Sequence, residues 1–236
     1  MVAIDDNIFF ARLREILAKG WIDIPDRPGY GGTGGPGLLL ESLIGINRSN
    51  RDGPDTGIWE LKYHGGNSPL TLFHLTPSPK KIMHQLVRGY GWPDAKDRTS
   101  FRHTIWGESP LGFKIINEQN KIIVRNIGPN ADPSIADPYW THDSLINAFV
   151  YKLRRLAVIH GRKSKNRVRY DSARLHSEPN IYGFINSIEK GLIAVDFDAR
   201  TNLTGSGLRD HGTKFRIKLD DLQHLYSESQ KFSVSE

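Results

Sequence analysis

Pro54-Asp55-Thr56-Gly57-Ile58-Trp59-Glu60-Leu61-Lys62 is the stretch whose reading decides the fold. Ile58–His64 is β-rich, and side chains on a strand alternate between its faces. Glu60 and Lys62 therefore point one way, and Leu61 points into a core. Asp55 lies five residues ahead of Glu60 across a Thr-Gly bend and can return to the same spot. Two carboxylates and the carbonyl oxygen of Leu61 are hard oxygen ligands of the kind Mg²⁺ takes while keeping several waters and binding phosphate oxygens. With Lys62 beside a metal-bound water, the set suits hydrolysis of a phosphodiester: the metal polarises the phosphate, and the lysine either orients the water or takes its proton. An ordinary surface strand carrying a Glu-x-Lys pair is the plainer alternative.

Working outward, Leu70–Leu75 forms a second β-rich run, joined to the first by Gly65-Gly66-Asn67-Ser68-Pro69. Upstream, Ile8, Phe9, Leu13, Ile16 and Leu17 recur at helical spacing before Gly20. Between Gly29 and Gly37 six of nine residues are glycine, followed by a short apolar helix over Leu38–Ile44. The glycine run fits neither a Walker loop nor a dinucleotide fingerprint; it reads as a connector, or as backbone that approaches a phosphate or swings as a gate. Downstream, Lys81–Arg88 reads as a helix, and Phe101–Ile105, Gly112–Ile116 and Lys121–Ile127 as strands. Gly128–Pro138 is a candidate hinge. Helices over Ser144–Arg155 and Pro179–Lys190, and strands over Leu156–His160, Leu192–Phe197 and Lys214–Leu219, complete the pattern, with Asp198–Thr213 as a polar loop. Strands in clusters rather than strict alternation with helices give an α+β, mixed α/β class.

The 236 residues are 38% apolar, enough for one large domain or two lobes with a real core. Without cysteine there are no disulfides, thiolate zinc sites or thiol nucleophile. Residues 1–150 carry 16 basic and 16 acidic side chains, whereas 151–236 carry 16 and 10, so the whole charge excess lies in the last third. Its densest run is Lys152, Arg154, Arg155, Arg162, Lys163, Lys165, Arg167, Arg169 and Arg174, opposed only by Asp171. Such a run either faces a polyanion or is a solvated surface. No stretch has the roughly 20 apolar residues of a membrane span, so a soluble, cytoplasmic protein is the expectation.

The Asp55…Glu60-Leu61-Lys62 spacing resembles that of the PD-(D/E)xK nucleases. Leu70-Thr71-Leu72-Phe73-His74, Gly37-Leu38-Leu39-Leu40-Glu41, Tyr139-Trp140-Thr141-His142-Asp143-Ser144-Leu145 and Arg209-Asp210-His211-Gly212-Thr213-Lys214-Phe215-Arg216-Ile217 resemble segments of the MvaI/BcnI family of type II restriction endonucleases, nearest its MvaI branch. The resemblance implies a MutH-like core, a mixed sheet flanked by helices, with two lobes around a DNA cleft: a catalytic lobe over about 1–170 and a recognition lobe over about 171–236. It implies a monomer that cuts double-stranded DNA with Mg²⁺, or Mn²⁺ as a substitute, at a C/G-rich site of the CCNGG type. A cognate methyltransferase would act on the same site. Carried over, Asp55, Glu60 and Lys62 are catalytic and Glu41 completes the site; Asp55, Glu60 and Leu61 hold the metal. His74, Arg200, Arg209, Asp210, His211, Lys214 and Arg216 contact DNA, each cation through a base edge or a phosphate. The Asp196-Phe197-Asp198-Ala199-Arg200 segment departs from the nearest branch, its cation displaced to Arg200, which leaves the central base open. A MutH-like repair nickase and an inert DNA-binding module are the other readings.

Overall fold

The computed structural model describes residues 4–46, 53–202 and 207–232. In chain order the elements are α1 (Asp6–Ala18), β1 (Trp21–Asp23), α2 (Gly35–Ile44), β2 (Glu60–His64), β3 (Leu70–His74), α3 (Ile82–Tyr90), β4 (Trp92–Pro93) and β5 (Thr99–Ile105). They continue with β6 (Phe113–Glu118), β7 (Lys121–Asn126), β8 (Tyr139–Thr141), α4 (His142–Leu153), β9 (Leu156–Ser164) and β10 (Arg167–Pro179). Last come α5 (Ile181–Glu189), β11 (Ile193–Thr201), β12 (Leu208–Asp210), β13 (Lys214–Ile217), a 3₁₀ turn over Leu219–His224 and β14 (Tyr226–Phe232). The mixture is α+β, and among the described residues no helix is long and apolar enough to cross a membrane.

The chain forms two compact units, each discontinuous in sequence: residues 1–68, 150–179 and 226–236 make the first, and 69–149 with 180–225 the second. Residue 170 lies inside β10, which pairs with β9 from Arg167 to His176.

In the first unit the strand order is β1-β10-β9-β2, and β14 joins the same edge of β10 beyond β1. β2 runs parallel to β9 and lies at the edge, while the other pairs are antiparallel. Helix α1 presents Phe9, Leu13 and Ile16 at three- and four-residue spacing, and its first turn is capped by the Asp5 carboxylate, which accepts from the Asn7 N–H at 2.8 Å. These residues, with Leu39, Leu40 and Ile44 of α2, cover one sheet face made of Leu61, Ala157, Ile159, Tyr170, Ala173 and Leu175. The opposite face carries the polar residues, and its register runs in rows across the strands. Glu60 aligns with Leu156, His176 and Ser229; Lys62 with Val158, Arg174 and Lys231; His64 with His160 and Ser172.

The second unit contains the sheet β3-β13-β11-β5-β4, with β12 on β11, and a three-stranded sheet β6-β7-β8. Its core is aromatic: Phe149 stacks on Phe184 at 4.3 Å and Phe73 on Phe215 at 5.1 Å.

Several segments differ from the sequence reading. Residues 167–179 form the long strand β10, because Val168, Tyr170, Ala173 and Leu175 turn inward while the arginines stay outside. A bulge between Tyr170 and Ser172 shifts the alternation and obscures it in the sequence. The polar segment after Phe197 continues β11 to Thr201 and adds β12. The Lys214 strand ends at Ile217, and Lys218 lies beyond it, over the Trp106 ring. Gly128–Pro138, the candidate hinge, lies wholly inside the second unit, where the Tyr90 hydroxyl accepts from the Asp132 N–H at 2.9 Å. The glycine-rich run is pinned: Lys163 Nζ donates to the Gly32 carbonyl and the Tyr170 hydroxyl to that of Pro36, each at 2.7 Å.

Candidate functional site

The turn before β2 closes on Thr56, which is fully buried. Its Oγ1 accepts from the Trp59 N–H at 2.7 Å and donates to the Trp59 carbonyl at 3.2 Å, while the Gly57 N–H donates to the Pro54 carbonyl at 3.0 Å. Gly57 has φ 84°, a left-handed value for which glycine is the natural residue. The turn delivers Asp55 to the free edge of β2, where its Oδ2 accepts from the Leu61 N–H at 2.8 Å.

Backbone alternation fixes what else faces that edge. The Glu60 N–H points toward β9 and donates to the Arg155 carbonyl at 2.9 Å, so Leu61 directs its N–H and C=O outward, to the side occupied by Asp55. Glu60 itself is 1% exposed. Its Oε1 meets Lys62 Nζ at 2.6 Å and Lys152 Nζ, from the last turn of α4, at 3.7 Å. Its Oε2 is buried with no hydrogen-bond partner among the described residues. Burial pushes the Glu60 carboxyl above its ordinary pKa range; Lys62 draws it down, the Asp55 charge pushes it up, and Lys152 draws it down. The charge of Glu60, after burial, in turn raises the pKa of the buried Tyr226 phenol, which donates to the Leu153 carbonyl at 2.8 Å.

Asp55, Glu60 and Lys62 are thus brought together. The residues present fit a hard divalent cation, since the orphaned Glu60 oxygen, the Asp55 carboxylate whose charge acts on it and the outward Leu61 carbonyl are all hard oxygen donors. Among the described residues no group of three His, Asp or Glu side chains is placed to hold a metal ion by itself. Glu41 lies on α2, which packs against β2, and lines a cleft with Arg27, Pro28, Tyr30, Leu38, Ser42 and Ile46; none of the other three lines that cleft. Lys152 was visible in the sequence only as one cation of a basic run, and nothing local ties it to a strand 90 residues earlier.

The DNA candidates fall on the second unit. One face of its larger sheet aligns His74, Lys214, Asp196 and Thr104 in one row and Asp198 with Arg102 in the next. Arg200, with Arg209 and Ser100 on either side, forms a third row. Asp198 is bridged by Lys214 at 2.9 Å and Arg102 at 3.1 Å. Asp196 accepts from the Thr104 hydroxyl at 2.7 Å and meets Arg216 at 3.4 Å. Burial first, then the charges of Arg98, Arg102 and Arg209, lowers the Arg200 pKa. Asp210 is spent locally, accepting from the Gly212 N–H at 2.8 Å, and the His211 N–H donates to the Asp198 carbonyl at 2.9 Å. Arg102 and Thr104 escaped the sequence reading because β5 was recognised there only as a strand; its alternation alone would have placed both on one face with Ser100.

Comparison with known proteins accords with this arrangement. The model of the MvaI/BcnI restriction endonuclease family matches residues 10–226. The restriction endonuclease MvaI in complex with its cognate DNA substrate superposes with a TM-score of 0.82 at 26% identity, covering 98% of this chain and 100% of that one. MvaI in the absence of DNA gives 0.61, again at 26% identity, over 99% of this chain and all of the other. No curated protein matches in sequence. A family match over nearly the whole length places this chain in the MvaI/BcnI restriction endonuclease family.

Proposed function

We propose that this protein is a Mg²⁺-dependent, sequence-specific type II endodeoxyribonuclease that hydrolyses double-stranded DNA at a C/G-rich, CCNGG-like site. The observation that carries the reading is the buried Glu60, whose Oε2 has no hydrogen-bond partner among the described residues while the Asp55 charge acts on it and two ammonium groups meet its Oε1. Asp55, Glu60 and the Leu61 carbonyl would hold the metal, for which Mn²⁺ can substitute. When bound, the ion supplies Lewis-acid polarisation of the phosphate and a lowered water pKa.

The chain's own residues then act as follows. Asp55 is fixed by the Leu61 N–H, so its Oδ2 is spent on orientation and Oδ1 would serve the metal. Glu60 holds Lys62 at hydrogen-bond distance. The Lys62 ammonium can donate to the incoming water or to a phosphate oxygen as negative charge builds there. The water oxygen bonds to phosphorus, one P–O bond breaks, and the departing oxygen takes up a proton. Glu41 supports the site from α2. Of the two units the first is the catalytic lobe, and the second reads DNA through His74, Arg200, Arg209, His211, Lys214 and Arg216, with Asp210 shaping the turn that presents His211. The enzyme works as a cytoplasmic monomer, partnered by a methyltransferase that protects the same site.

Plasmid incubated with Mg²⁺ should yield discrete fragments, and their end sequences give the site. Asp55→Ala and Lys62→Ala should bind duplex DNA and leave it whole. Cutting by these variants at the parental rate would remove the assignment, and a nicked circle that never linearises would replace it with a repair nickase.

A further inference from the structure

The row that contains Lys62 continues across the sheet through Val158 and Arg174 to Lys231. Arg174 and Lys231 are both exposed, face each other directly across an antiparallel pair, and form no ion pair among the described residues. Like charges in that position repel. The other arginines of the β9–β10 hairpin are compensated: Arg162 and Arg169 share Asp171, and Arg167 meets Asp23. Glu228, the acid nearest in sequence on β14, is on the opposite face, accepting from Ser177. The Arg174 charge acts on two histidines of the same face, and Glu60 lies in the adjoining row at its far end. His160 lies 6.0 Å, ring to ring, from His64, and burial, with Arg174 adding to it, holds His160 and His176 below their ordinary pKa range. An exposed cationic pair with no ion-pair partner among the described residues is a fold-level cost that a polyanion would relieve.

We propose that this face seats phosphates of the duplex flanking the cut site, with Arg174 and Lys231 as the contacting cations. The inference rests on the reading of the protein as a DNA-cutting enzyme and extends it to a surface that reading does not use. Strands lie about 4.8 Å apart, so Arg174 sits roughly 10 Å, and Lys231 roughly 14 Å, from the Lys62 position along the row. That distance places them beside the reacting phosphate rather than on it, where contacts position the duplex and read no sequence.

Binding of the parent and of an Arg174→Ala/Lys231→Ala double variant is measured with Ca²⁺ in place of Mg²⁺. One duplex ends close to the site on both sides, and the other carries long flanks. The parent should bind the longer duplex about tenfold more tightly, and the double variant should lose most of that gain. On the longer duplex the slope of log K against log salt should fall by about 0.9 for each lost contact, close to two in all. Hydroxyl-radical protection of the flank should shrink with it. A parent indifferent to flank length, a variant weakened equally on both duplexes, or an unchanged salt slope would each overturn the proposal while leaving the cleavage reading intact. A parent that binds no duplex at all would end both.

Discussion

Replacing Thr56 with valine keeps the side-chain shape and removes one hydroxyl, and the structure says what that hydroxyl holds. It is the acceptor for the buried Trp59 N–H at 2.7 Å and also donates to the Trp59 carbonyl at 3.2 Å. A buried donor left without an acceptor costs about 1–3 kcal/mol. For a chain of this size each kcal/mol is worth about 2–4 °C in Tm, so a fall of about 5 °C is expected. The larger effect should be on cleavage. The turn closed by Thr56 is what delivers Asp55 to the Leu61 N–H, and a misplacement of about 1 Å in such a group costs on the order of 10²-fold. Single-turnover cleavage and thermal unfolding are compared for Thr56→Val and Thr56→Ser. Serine restores the hydroxyl and should recover most of both losses. If valine cuts at the parental rate, or serine is damaged as badly as valine, the turn is not what positions Asp55.

Three other outcomes follow from the same coordinates. His176 is 2% exposed and its pKa is pushed down to about 4 by burial and by Arg174 and His160, so as pH falls below its ordinary value of 6.5 the unfolded chain takes up a proton before the folded one. Its contribution to stability is therefore full above that value and lost on the way to pH 4, about 3 kcal/mol in all; His176→Phe should flatten the denaturant-derived stability profile over that window, and an unaltered slope would refute the assignment. Mg²⁺ should raise Tm through binding to the folded state, by about 1.4 kcal/mol of stability at tenfold its dissociation constant, and EDTA should stop cleavage while leaving the circular dichroism spectrum intact; Glu60→Gln should lose the thermal response, and a variant that keeps it would move the metal elsewhere. Asp198→Asn should free Lys214 and Arg102, raising cleavage at near-cognate sites relative to the cognate one with an unchanged Mg²⁺ requirement, and a raised metal requirement instead would count against a bracing role.

The parts legible in the sequence are those whose partners are close in sequence. Asp55, Glu60 and Lys62 lie within eight residues, and one bend and one strand suffice to bring them together. α1 and α5 were legible for the same reason, each being a periodic stretch with its own stop. Lys152 was not, because its approach to Glu60 depends on the parallel pairing of β2 with β9 and on where α4 ends. Arg102 and Asp198 are register partners on strands 96 residues apart, a pairing no local pattern announces. β14 was hidden differently: Tyr226 is its only buried residue, so its alternation carries almost no hydrophobic signal, and only pairing to β10 makes it a strand.

The state of each carboxylate separates ligand from brace more sharply than residue type does. Asp196 engages both oxygens with partners of the same sheet, and Asp198 is ion-paired through both, although its Oδ1 meets Arg102 at 3.1 Å without a hydrogen bond, so neither could accept a metal without surrendering a contact. They hold cations and a hydroxyl in fixed rows, the arrangement that the proposed reading of base edges would need. Glu60 is deeper and yet leaves Oε2 without a hydrogen-bond partner among the described residues, and burial first, then the Asp55 charge, opposes its ionisation. Buried unsatisfied oxygen costs free energy that folding alone gives no reason to retain. A divalent ion bound there, as proposed, would remove both penalties at once, by ligating the free oxygen and by cancelling the repulsion between the two carboxylates. An oxygen with neither a hydrogen bond nor an ion pair among the described residues thus sets Glu60 apart from Asp198, whose Oδ1 also lacks a hydrogen bond yet keeps the Arg102 charge at 3.1 Å.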